Sequence, residues 1–94
     1  MPNDSFVLFA LAKEYESQGE HTLALEKYEE LMRIHPNYVG LYYHLGKLHE
    51  RENRRERALE IFSEGMKIAK AVSDQHAFSE LAGARMALDE NAED

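Results

Sequence analysis

The sequence predicts an all-α fold made of stacked helical hairpins. Three observations carry that expectation: a 34-residue internal repeat, helix-spaced apolar positions within each copy, and turn-forming residues between them. Leu8-x-x-Leu11-Ala12-x-x-Tyr15, then Ala24-x-x-x-Tyr28, returns as Tyr42-x-x-Leu45-Gly46-x-x-His49, then Ala58-x-x-x-Phe62. The small residues (Ala12/Gly46, Ala24/Ala58) and the aromatics (Tyr28/Phe62) stay in step, which chance rarely arranges. A repeat of this length marks an array in which each unit buries its apolar face on the next.

Five helices follow in order. The first is expected over about Ser5 to Ser17, with Asn3 or Asp4 offering a side-chain oxygen to the free N–H groups of its first turn. Gly19 turns the chain, because glycine enters the left-handed region without a Cβ clash. The second runs from about His21 to Ile34 and stops before Pro36, whose ring disfavours helical geometry in the residue ahead of it. Asn37 is expected to cap a third helix over about Tyr38 to Arg51. Asn53 stands 34 residues after Gly19 and also tolerates a left-handed turn. The fourth helix starts near Arg54. Lys70 takes the place of Pro36, so this helix can continue to about Val72. Ser73-Asp74 supplies the next cap, and the fifth helix spans about Gln75 to Asp89. It restarts the motif as Phe78-x-x-Leu81-Ala82-x-x-Arg85, where a charged residue replaces the aromatic and signals the end of the array. The expected organisation is one domain over 1–94: repeat one at about 5–38, repeat two at about 39–72, a capping helix at about 75–89 and an acidic tail at 90–94.

Composition narrows the function. A chain of 94 residues is one domain with one modest core. Its net charge of −7 repels a phosphate polymer, so no nucleic-acid partner is expected. Cysteine is absent, which removes disulfides, thiolate metal sites and thiol nucleophiles and fits a reducing compartment. The apolar run Phe6 to Ala12 looks like part of a secretion signal. The residues before it hold Asp4 and no Lys or Arg, whereas a signal needs a cationic leader. No segment is long enough to span a bilayer, so no membrane partner is expected and the expected location is cytoplasmic.

The repeat resembles the tetratricopeptide repeat (TPR), a helix–turn–helix unit, over about Ser5 to Leu88. The resemblance implies a right-handed α-α superhelix of two repeats plus a capping helix. It also implies that Ala12 with Ala24, and Gly46 with Ala58, sit where the helices of a unit cross closely, while Leu8, Leu11, Tyr28, Leu31, Leu45 and Phe62 fill the core. The sequence departs from the pattern at three places: His49 stands where the first copy has Tyr15, Gly65 where it has Leu31, and Pro36 has no second copy.

Such arrays are similar in holding a peptide in a concave groove lined by the first helix of each unit. Residues three and four apart share a helical face. The stripe away from the packed face holds Phe6, Phe9, Lys13 and Glu16 on the first helix. On the third it holds Gly40, Tyr43 and Lys47, then Glu50 or Arg51, with His44 at its border. Phe9 aligns with Tyr43 and Lys13 with Lys47. The candidate peptide-binding residues are therefore Phe6, Phe9, Lys13, Tyr43, His44, Lys47 and Arg51: an aromatic floor with a cationic rim, suited to a segment with an apolar anchor and an acidic group. The subgroup that clamps chaperone tails uses a Lys and Asn network, and Phe9, Lys13 and His44 stand at three of its positions, so that clamp is absent here.

The other chemistries lack their motifs. His44 and His49 are five apart, not the four that places two ligands on one helical face, so no metal and no cofactor is expected. Phosphate loops, nucleophile elbows and HExxH are missing, so no catalytic residue is assigned and the chain is not expected to be an enzyme. The expected function is a non-catalytic protein-interaction module, an adaptor or scaffold. The alternative is a self-association unit: an array of under three repeats is short of stability and gains by pairing into a homo-oligomer through Phe6, Val7 and Ala10.

Overall fold

The computed structural model describes residues 4–92, and the side chains of residues 4–90. Five helices account for nearly all of it: α1 (Ser5–Ser17), α2 (His21–Ile34), α3 (Gly40–Arg51), α4 (Arg55–Ala71) and α5 (Gln75–Ala92). No strand occurs among the described residues. Each helix packs on its chain neighbour, and α3 also meets α5. The layers follow: α1, α3 and α5 form one, α2 and α4 the other.

Asp4 is the cap of α1, its Oδ1 accepting from the N–H of Phe6 at 2.9 Å. Asn3, the other candidate, lies outside the described residues. Three turns share one bonding scheme. The N–H groups of Glu20, Arg54 and Asp74 reach the carbonyls of Tyr15, His49 and Ala69, and Gly19, Asn53 and Ser73 bond the carbonyls of Glu16, Glu50 and Lys70. This six-to-one pattern needs a left-handed residue in its middle. Gly19 (φ 76°), Asn53 (φ 62°) and Ser73 (φ 61°) supply it. Ser73 is therefore a turn residue. Asp74 alone caps α5, through the N–H of Ala77 at 3.0 Å.

Two helix boundaries differ from expectation. The third helix begins at Gly40, not Tyr38, and Asn37 does not cap it. The N–H of Tyr38 bonds the carbonyl of His35, and that of Leu41 bonds the carbonyl of Tyr38, so a tight turn precedes the helix. Tyr42 fixes that turn, its Oη donating to the Pro36 carbonyl at 2.6 Å. The fifth helix runs on to Ala92, so residues 90–92 of the expected tail are helical. Glu93 and Asp94 lie outside the described residues.

The core is continuous across both repeats. Leu8, Ala12, Ala24, Tyr28, Leu31, Leu45, Ala58 and Phe62 are all buried. Gly46 and Gly65 let the helices close. A Cβ on Gly46 would lie 2.3 Å from the Phe62 ring, and one on Gly65 2.5 Å from Tyr42 Cβ. Gly65 therefore tightens the second half, since it admits Tyr42 of α3 and Leu81 of α5. Leu11 corrects the expected core: it is 38% exposed, whereas Leu45, one repeat later, is 0%. The second repeat has α2 beside it, whereas no described helix precedes α1.

Candidate functional site

Helices α1 and α3 lie side by side because their repeats are in register, and their stripes meet as a ladder of rings. Phe9 packs on Tyr28 (6.3 Å between centroids), Tyr38 (5.3 Å) and His44 (5.4 Å). His44 meets the edge of Tyr43 at 5.7 Å, and Tyr43 leans on Phe62 at 6.5 Å. Such tilted and edge-on contacts suit aromatic quadrupoles. The ladder joins both repeats without a gap. Phe9, Tyr43 and His44 are half-buried within it, which fixes their orientation. Phe6 stands 71% exposed at the start of α1.

Polar contacts fix the surroundings. Lys13 Nζ donates to His44 Nδ1 at 3.3 Å, so the neutral ring carries its proton on Nε2. Burial, and then the Lys13 ammonium, hold His44 below the usual histidine range, while Glu80 of α5 pulls the other way. The ring is thus neutral at physiological pH and offers one N–H. Lys47 pairs with Glu50 at 3.2 Å. Arg51 pairs with Glu16, which also accepts from Tyr28 Oη at 2.6 Å. Arg51 thereby ties α3 to α1, and its charge is largely matched. Lys13 is the less committed of the aligned lysines. At the foot of the ladder, Lys13, Glu16, Ser17, His21 and Arg51 line a shallow depression.

All seven predicted residues sit on α1 or α3, and four of them (Phe9, Lys13, Tyr43, His44) form one chain of contacts on the face these helices share. Two contributors escaped the sequence reading. Tyr38 closes the ladder from the inter-repeat turn, and Glu80 brings a carboxylate from the fifth helix. Glu16, expected on the α1 stripe, anchors Arg51. Glu80 had a legible signal, since the motif restart at Phe78 puts it in the register of His44 and Ala10. Among the described residues no three His, Asp or Glu side chains are grouped to hold a metal ion.

Comparison with known proteins decides the family. One tetratricopeptide repeat model matches residues 12–53 and a second matches residues 39–72. A tetratricopeptide repeat domain protein from Salinibacter ruber, solved by NMR in solution, is 38% identical with a TM-score of 0.92, covering 96% of this chain and 91% of its own. The crystal structure of such a domain protein from the same organism is also 38% identical, with a TM-score of 0.87, covering 92% and 97%. This chain belongs to the tetratricopeptide repeat family. The TPR helical superhelix expected from the sequence is the fold observed. Members of the family are in general protein–protein interaction modules and typically non-catalytic. No curated protein matches the chain. Among the described residues, no helix is long and apolar enough to cross a membrane.

Proposed function

We propose that this TPR domain is a cytoplasmic adaptor or scaffold that captures a peptide segment along the groove formed by α1, α3 and α5. The observation that carries this reading is the ladder Phe9–His44–Tyr43, bordered by Lys13 and the Lys47–Glu50 pair. Pre-packed rings lose little side-chain entropy when a ligand covers them. A segment with one apolar residue and one acidic group fits: the apolar residue lies on Phe9 and Tyr43, with Phe6 beside them. The carboxylate meets Lys13 Nζ and His44 Nε2, and Lys47 adds charge. Arg51 acts mainly by holding α1 against α3.

Selection from a random peptide library tests this. Wild type is expected to enrich segments that join an aliphatic or aromatic residue to an acidic one. Lys13→Glu with Lys47→Glu is expected to lose that enrichment, about tenfold or more in affinity, with unchanged helical content. Equal enrichment by the double variant would remove the proposal.

Self-association is the second reading, favoured by Phe6 and by the open side of Leu11 at the start of the stack. Pairing through Phe6, Val7 and Ala10 would cover that edge. Sedimentation over a wide concentration range separates the two readings, and a single monomeric species throughout would exclude pairing.

A further inference from the structure

His49 fills the slot that Tyr15 holds one repeat earlier and is only 3% exposed. Arg54 binds it twice. The Arg54 backbone N–H donates to the His49 carbonyl at 2.8 Å and closes the α3–α4 turn. Arg54 Nε–H donates to His49 Nδ1 at 3.0 Å. An apolar contact commonly joins these two positions of such a turn, whereas this chain uses an imidazole and a guanidinium. The Arg54 contact puts the neutral ring's proton on Nε2, and Nε2 is buried without a hydrogen-bond partner. The chain thus leaves a core donor unmet at the turn of its second hairpin, which costs stability.

A second proton can enter only at Nδ1, where the Arg54 N–H already points. Two donors would then face each other, and a full charge would lie in the core. The charges that bear on the ring are Arg54 of the α3–α4 turn and then Arg57 of α4, and both repel it. Its sequence neighbours Glu50 and Glu52 are engaged by Lys47 and by His21 of α2. Burial foremost, then the two guanidinium groups, hold His49 below the usual histidine range.

We propose that His49 is an acid-sensitive latch on the α3–α4 turn: its protonation breaks the Arg54 contact and loosens the second hairpin. The sign follows from linkage. His49 is neutral in the fold and free to charge when unfolded, so below about pH 6.5 the unfolded chain binds more protons. The stability this adds is complete above that pH and is lost as pH falls toward the folded-state value. Tyr43 leans on Phe62 of α4, so loosening this seam would also disturb the α3 half of the groove. That consequence rests on the groove reading, whereas the latch does not.

Urea unfolding at pH 7.5 and 5.0 tests it on the full chain, with His49→Tyr and with His44→Gln to account for the second depressed histidine. Wild type is expected to lose folding constant at pH 5.0, by at most about thirtyfold for one histidine kept neutral in the fold. His49→Tyr should remove most of that loss, and His44→Gln should keep most of it. A full loss in His49→Tyr would overturn the latch. Should that variant not fold, imidazole NMR of the wild type decides. The latch requires the Nε2–H tautomer at pH 7.5 and a titration below about pH 6.5 that coincides with loss of amide protection at Arg54. Titration at or above that pH, or without change at the turn, contradicts it.

Discussion

Gly65 and Gly83 both lie inside helices, yet their surroundings assign them opposite roles. A Cβ on Gly65 would meet Tyr42 Cβ, which cannot move without α3, whereas around Gly83 a Cβ meets nothing within 4 Å. Alanine raises helix propensity by about 1 kcal/mol at either position. At Gly65 the clash exceeds that gain, so Gly65→Ala is expected to destabilise by about 1–3 kcal/mol. Gly83→Ala should stabilise by up to about 1 kcal/mol, and denaturant melts of the two variants read the contrast. The sequence shows why this pair was hard to tell apart. Gly65 could be marked as a departure from Leu31, but whether it loosens or tightens the stack depends on what approaches it. Leu11 is a similar case: its motif position is that of a core residue, yet it stands partly exposed.

At the scale of elements, three helix ends share one turn and differ in the residue at its left-handed position. Gly19 and Asn53 are the residue types that tolerate φ near +60°, and they were legible on that ground. Ser73 was not, because a serine next to an aspartate reads equally well as a helix cap. It costs the α4–α5 turn stability that glycine would not. Ser73→Gly is expected to stabilise by about 0.5–1 kcal/mol. Asp74→Ala is expected to cost about 1 kcal/mol by removing the cap of α5. Thermal melts of both variants check these opposite signs. The late start of α3 belongs here too. Asn37 offers capping chemistry, but the Tyr38–His35 bond and the hold of Tyr42 on Pro36 had already set the turn.

At the scale of the molecule, the 34-residue period specified the stacking, and the stacking produced the ring ladder. The stripes on α1 and α3 could be aligned from the sequence because they lie at one offset. What pairs with them could not. The contacts of Arg51 with Glu16 and of Lys13 with His44 arise between elements, where no local periodicity reports on them. We propose that a partner segment lies on the joined face of α1, α3 and α5. Amide and side-chain shift mapping with a library-selected acidic peptide tests it most directly. Shifts are expected to concentrate at Phe9, Lys13, Tyr43, His44, Lys47 and Glu80. Shifts confined to α2 and α4, on the opposite layer, would contradict it.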